Sequence, residues 1–405
     1  MITNDMTSKQ MLDQLMRDHY DGAMEAAKNG AMVCWSTSIA PQELLEVFDN
    51  LVVVYPENQC AAIGARRDAL GFIQKAEDKG YSADICSYAR VNMGYCDIKE
   101  SIAENIPMPD FLFCCNNICN TVIKWYENLS KELNIPMVMI DVPYSPDMDQ
   151  SQERIEYVAD QFKAAISELE VITGQKFDEK KFEEIMKISN ITAKWWGQGV
   201  DYTEHIPSPI NGFDLFNYMA MAVCMRGKPE GQIMFKKWCE ESEAKIAAGK
   251  GPWKDQEEKF RVLWDGIACW THLSFTYKTL KKLGINICAS TYPDGWIIKY
   301  DIGDFEGMAR AYNDKFTDRP LEYKVKKLVD MIEKYHLDGA ILHSNRSCKL
   351  MDFTIYEVQR RVEEITGKPV VIFDGDQTDP RVFSEAQFET RMQAFAEMME
   401  KNKAK

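Results

Sequence analysis

Three cysteines, Cys114, Cys115 and Cys119, crowd the end of FLFCCNNIC, where an apolar run gives way to polar residues. Thiols placed there can close a disulfide, hold a metal, act as a nucleophile or simply pack. The chain carries twelve cysteines in 405 residues, and in a reducing compartment that count points to metal or redox chemistry more than to bridges. Most individual cysteines pack as small hydrophobes, and Cys224, Cys239 and Cys269, in helix-like or aromatic surroundings, are read that way. A structural zinc ribbon shows two tight C-x-x-C pairs. Cys115 and Cys119 are spaced more widely and no second tight pair follows; of the histidines, only His343 stands near a cysteine loop. Zinc is therefore disfavoured. Cys86, Cys119 and Cys348 are isolated loop thiols far apart in sequence, which suits a cluster captured between domains. A cubane iron–sulfur cluster normally takes four thiolates; three would leave one iron open to a substrate oxygen, as a Lewis acid.

Other chemistries lack their residues. VVIFDGDQT, with Asp374, Asp376 and Thr378, matches the opening of haloacid-dehalogenase-type phosphatases, but only 27 residues follow Thr378, too few for the later motifs. An EF-hand loop begun at Asp374 needs glycine at its sixth position and has Asp379. There is no G-x-x-x-x-G-K-[ST], so the chain has no nucleotide-phosphate loop of its own. G-x-G-x-x-G and G-x-S-x-G are also missing.

The charge balance excludes further partners. A net charge of −15 argues against a nucleic-acid surface, whose phosphates it would repel. A hydrophobic content of 45% and a charged content of 27% are those of a soluble globular protein. No apolar run approaches the ~20 residues that span a bilayer, so no membrane partner is expected. MITNDMTSKQMLDQLMRDHYDG is polar and acidic rather than a secretory signal, and a cytoplasmic location is expected.

The elements that position these residues follow from patterning. Apolar runs at Ala31–Trp35, Leu51–Tyr55, Phe111–Cys115 and Pro136–Ile140 alternate with helical spacing, the mark of βαβ units and a parallel sheet. From about Asp149 the pattern turns helical to about Lys259, with SNIT and HIPSPINGFD as breaks. Strand-like runs return at Ile285–Ala289, Trp296–Tyr300, Gly339–His343 and Val370–Phe373. The expected fold is α/β: two doubly wound, Rossmann-like parallel-sheet domains, 1–150 and 261–405, joined by a helical connector, 151–260. Ligands gather beyond the carboxyl ends of such strands. Those ends are followed by Ser36, Thr37 and Ser38; by Glu57 and Asn58; by Asn116, Asn117 and Cys119; and by Ser344, Asn345, Arg346 and Cys348. Cys86, in YSADICSYAR, reads as another strand end. Hydroxyls, a carboxylate and three thiols are thus expected at one crevice between domains. Arg90 and Arg346, beside the thiol loops, suit either anionic ligand groups or structural ion pairs.

WSTSIAPQEL, YPENQ, DICSYAR, CCNNICNTVIKWYENLS, NGFDLFNYMA, HSNRSCKLMD and FDGDQTDPR together resemble, in order and over nearly the whole chain, the larger subunit of the 2-hydroxyacyl-CoA dehydratases. The resemblance implies an oxygen-sensitive hydro-lyase of amino-acid-fermenting anaerobes. It implies a heterodimer with a homologous, shorter beta subunit, each subunit holding one [4Fe–4S] cluster. A transient ATP-dependent iron–sulfur activator supplies the electron, in agreement with the missing phosphate loop. Carried over by position, the cluster ligands are Cys86, Cys119 and Cys348. Ser38 matches the serine that hydrogen-bonds the non-cysteine ligand of the open iron, and Glu57 matches the active-site glutamate. Cys114 and Cys115 match residues that are not ligands. The implied reaction converts an (R)-2-hydroxyacyl-CoA into the (E)-2-enoyl-CoA through a ketyl radical, with the thioester carbonyl on the open iron. The rival readings are a benzoyl-CoA-reductase-like subunit and a non-catalytic iron–sulfur electron-transfer subunit.

Overall fold

Runs of Val, Ile, Phe and Cys bounded by polar residues become short strands, and loop-and-helix crossovers keep them parallel. The structure, a computed structural model, describes residues 2–404, the side chain of Phe316 apart. Its first sheet comprises β1 (Met32–Ser36), β2 (Leu51–Val54), β3 (Phe111–Cys115) and β4 (Met137–Ile140), all parallel, in the order β2-β1-β3-β4. Its second comprises β5 (Phe260–Asp265), β6 (Ile285–Ser290), β7 (Gly339–Asn345) and β8 (Val370–Gly375), parallel, in the equivalent order β6-β5-β7-β8. The fold is therefore α/β with two doubly wound parallel sheets, and each reverses its winding beside its first strand.

Four long helices, Gln152–Thr173, Glu179–Asp201, Gly212–Cys224 and Pro229–Ala247, occupy the chain between the sheets. The first shows why they form. Ser151 caps it by accepting from the Arg154 N–H, Gly174 ends it at φ +69°, and Ile155, Val158, Phe162, Ala165 and Leu169 bury one stripe. One hydrophobic core spans both sheets. In the second sheet Val262, Trp264 and Ile341 face that core, while Leu263, Ala340 and Leu342 face a smaller one with Leu328 and Val358, as the two-residue strand period requires.

Three expectations need correction, and one strand went unnamed. FRVLWD, just past the helical patterning and given no element in the sequence, is strand β5. Its Arg261 hides the strand pattern, because it is buried and satisfied by Glu258 and the carbonyls of Thr203, His205 and Tyr335. Trp296–Tyr300 is not a strand; the Tyr300 backbone bonds the Asn190 side chain (2.6 and 3.1 Å) instead of a neighbouring strand. SNIT does not break a helix, since Glu179–Asp201 runs through it with Ser189 and Asn190 bonding across to Glu43 and Tyr300. Cys86 follows a turn rather than a strand, and stands at the start of the helix Ser87–Ile98.

Candidate functional site

The carboxyl ends of both sheets open on one cavity of about 420 Å³. Ser38, Glu57 and Cys119, which follow β1, β2 and β3, lie in its wall. Ile267, Tyr292, Cys348 and Gln377, which follow β5, β6, β7 and β8, complete it, and Cys86 joins from its helix start. This is where open parallel sheets put ligands.

Cys86, Cys119 and Cys348 are partly exposed, while the other nine cysteines, Cys114 and Cys115 included, are buried. Each of the three stands where a helix begins. Cys86 and Cys348 are the residues directly before Ser87–Ile98 and Lys349–Asp352, and Cys119 lies just ahead of Asn120, the residue before Thr121–Leu133. Backbone N–H groups of Ala89, of Val122 and Thr121, and of Met351 point at the respective sulfurs and favour the thiolate. Burial opposes them and wins: it pushes Cys348 up to about 12 and Cys86 higher still. The thiols also raise one another, Cys348 and Cys119 acting on Cys86, and Cys119 on Cys348. Sulfurs that repel when charged, yet receive N–H donors, are matched to a soft, positively charged centre between them. Among the described residues no three His, Cys, Asp or Glu side chains are grouped to hold one ion. A multi-iron cluster asks for a wider set than a single ion does, because each thiolate binds a different iron.

The thiol loops brace one another. The Ser87 N–H donates to Ser347 Oγ (3.0 Å), Thr378 Oγ1 to Ser87 Oγ (2.6 Å), and Gln377 Nε2 to Cys86 Sγ (3.2 Å). Asp376, from the phosphatase-like string, accepts from the backbone N–H groups of Ser347, Thr378 and Asp379, so it is scaffolding beside Cys348. Arg90 is 1% exposed and pairs with Glu77 (2.7 Å) and Asp379 (3.0 Å); Arg346 pairs with Asp374 (2.8 Å). Of the two readings offered for these arginines, the geometry realises the ion pairs. His343 Nδ1 donates to the Ile267 carbonyl (2.6 Å) and its Nε2 meets the Cys269 thiol (3.1 Å), so that pair is spent inside the core.

Glu57 is held by Ser38, whose N–H and Oγ donate to Oε1 (3.1 and 3.4 Å), while Oε2 is buried without a partner. Burial pushes its carboxyl up to about 7 against the lowering effect of those bonds. The Ser38 loop is itself clamped. Arg226 donates to the carbonyls of Ser38 (2.8 Å) and Ala40 (3.1 Å), and Asn117 Nδ2 donates to that of Ile39 (3.2 Å). Arg226 also reaches the Tyr312 hydroxyl, which donates to the buried Glu43.

Arg226, Tyr292, Gln377 and Lys315 were not singled out in the sequence, although Tyr292 and Gln377 follow strand ends, the signal that could have found them. Lys315 lies in the cavity wall, donates to the Gly295 carbonyl (2.9 Å), and is pushed down to about 7 by burial. Arg226 gains its role from partners far away in sequence, for which local patterning carries no signal.

Comparison with known proteins places the chain in a family. The family described as 2-hydroxyglutaryl-CoA dehydratase, D-component, matches residues 37–399. The (R)-2-hydroxyisocaproyl-CoA dehydratase alpha subunit of Clostridioides difficile is 48% identical over 394 residues, covering 97% of this chain and 96% of that protein. The (R)-phenyllactyl-CoA dehydratase alpha subunit of Clostridium sporogenes is 45% identical over 392 residues, 97% and 95% of the two chains. The lactoyl-CoA dehydratase subunit alpha of Anaerotignum propionicum is 44% identical over 419 aligned positions, 100% and 99%.

Proposed function

The chain belongs to the 2-hydroxyglutaryl-CoA dehydratase D-component family of hydro-lyase subunits, and on that premise we propose that it is the iron–sulfur alpha subunit of an (R)-2-hydroxyacyl-CoA dehydratase forming the (E)-2-enoyl-CoA. The observation that carries this reading is the meeting of three N–H-supported thiols with the Ser38–Glu57 pair in one cavity at the carboxyl ends of both sheets. Cys86, Cys119 and Cys348 would hold one [4Fe–4S] cluster. When bound, that group would supply one-electron chemistry and Lewis acidity toward the thioester.

The chain's own residues do the rest. Ser38 engages Glu57 Oε1 through two donors, which leaves Oε2 turned to other use. A carboxyl held near 7 gains or loses a proton at neutral pH, as removal of a hydroxyl and a β-hydrogen requires. Ile118, Val122, Trp125, Ile267 and Met351 give the same cavity an apolar wall that takes an acyl chain and excludes water. The domain division at 150 and 260, the cluster between domains, the homologous beta subunit with a second cluster, the transient ATP-dependent activator and a cytoplasmic location belong to the same proposal. Among the described residues, no helix is long and apolar enough to cross a membrane.

The test is anaerobic co-purification with the neighbouring subunit, iron and sulfide counting, and assay against a panel of 2-hydroxyacyl-CoAs. Formation of enoyl-CoA with loss of water is expected. Net reduction of an acyl-CoA, a fourth protein sulfur on the cluster, or lack of inorganic sulfide overturns the proposal.

A further inference from the structure

Behind the turn that carries Ser38 the chain buries one charge of each sign. Glu43 is wholly buried and accepts three hydroxyl hydrogens, from Ser189 (2.5 Å) and Tyr300 (2.6 Å) on Oε1 and from Tyr312 (2.6 Å) on Oε2. Arg226 donates Nη1 to the same Tyr312 oxygen (3.0 Å) and Nη2 to the carbonyls of Ser38 (2.8 Å) and Ala40 (3.1 Å). Among the described residues no carboxylate is bonded to Arg226, so the two charges are joined through the Tyr312 hydroxyl. These contacts form a ring that leaves the backbone at Ser38 and returns to it at Glu43. Gln42, inside the ring, tightens it by donating Nε2 to the Arg226 carbonyl (2.7 Å). Ser189 and Arg226 come from the helices between the sheets, and Tyr300 and Tyr312 from the stretch between β6 and β7, so distant parts of the chain bear on one turn after β1.

Taking two charges out of water is costly, and apolar residues of similar volume would pack the turn as well. What the ring adds is aim. Ser38 Oγ meets Glu57 at 3.4 Å, a long bond that holds the hydroxyl loosely, so its direction at the cavity wall is set by the backbone that Arg226 pins. We propose that Glu43 and Arg226 are positioning residues of the site: Glu43, acting through Tyr312, holds the Arg226 guanidinium on the carbonyls of Ser38 and Ala40 and thereby sets the aim of Ser38 Oγ. This deepens the dehydratase reading and rests on it, because that reading gives Ser38 its place beside the cluster.

The experiment uses the anaerobic two-subunit enzyme and Tyr312→Phe, which removes the one oxygen joining the two charges and changes neither of them. Its readouts are iron and sulfide content, the reduction potential of the cluster, and kcat and KM for dehydration after activation. Hydrogen bonds around a cluster tune its potential, so Ser38→Ala sets the scale. Tyr312→Phe is expected to keep its iron, to move the potential in the same direction as Ser38→Ala, and to lower kcat by about 10-fold with little change in KM. In the Ser38→Ala background it should add nothing to either effect. Wild-type potential and kcat in Tyr312→Phe, or an undiminished effect in the Ser38→Ala background, overturns the proposal. If Tyr312→Phe loses iron, Glu43→Gln is read in the same way, and loss of iron from both variants assigns the ring to packing alone and overturns the proposal too. Wild-type enzyme without iron, or Ser38→Ala with both wild-type values, fails at the dehydratase reading itself, a distinct result because no residue of the ring has then been altered.

Discussion

Arg226 is 2% exposed, and its charge is spent on the backbone of the Ser38 loop and on Tyr312. Arg226→Met would strand those carbonyls and leave Glu43 uncompensated, costing on the order of 3 kcal/mol in a denaturant titration. At Glu57 the sign of the pH effect follows from its raised carboxyl. The folded state holds the proton up to about 7 while the ordinary value is 4.5, so the unfolded chain releases it first. Stability from this group is complete below about 4.5 and is lost as pH rises through about 7. Glu57→Gln should therefore unfold at a higher temperature than wild type at about pH 8, by on the order of 3 kcal/mol, with the gap closing in acid. Among the thiols, Cys119→Ala should abolish cluster absorbance in this subunit together with dehydration, whereas buried Cys224→Ala should retain both. Persistence of the absorbance in Cys119→Ala removes the ligand assignment. Ser38, Glu57, Cys119 and Cys348 were legible because each follows a strand end, the one place where a sequence announces a parallel-sheet site. Arg226 was not, because its value comes from the Ser38 loop and Tyr312, which no local pattern links to it.

Helix starts do the work of aiming the sulfurs, so the packing of those helices matters at the site. Gly94 lets the helix Ser87–Ile98 touch the helix Ala69–Asp78, since a Cβ there would lie 2.1 Å from the Phe72 carbonyl oxygen. Gly94→Ala should push the two apart, cost about 1–3 kcal/mol by denaturation, and lower the iron retained per chain, because Cys86 opens that helix. Element types were easiest to read where one period ruled, as in Gln152–Thr173. They were misread where burial and pattern disagreed. Arg261 made a fully buried strand look polar, and the apolar string at Trp296–Tyr300 satisfies its backbone through a side chain and spends Trp296 and Ile297 on the cavity wall.

At the scale of the molecule, the doubly wound class followed from alternation of strand and helix, but the strand orders and their equivalence did not, since no short repeat in the sequence records them. The relatives named above are alpha subunits, and co-expression with the neighbouring subunit should give a complex eluting well above the 46.6 kDa of this chain on size exclusion. Elution of the chain alone would remove the heterodimer from the proposal. Each sheet delivers one sulfur after its third strand, Cys119 after β3 and Cys348 after β7. The remaining sulfur, Cys86, comes from the stretch between β2 and β3, and the corresponding stretch between β6 and β7 sends Tyr292 and Lys315 to the cavity in its place. A scaffold doubled in its winding is thus single in this one donor, and on the proposed reading the odd count is what would leave a berth for a guest.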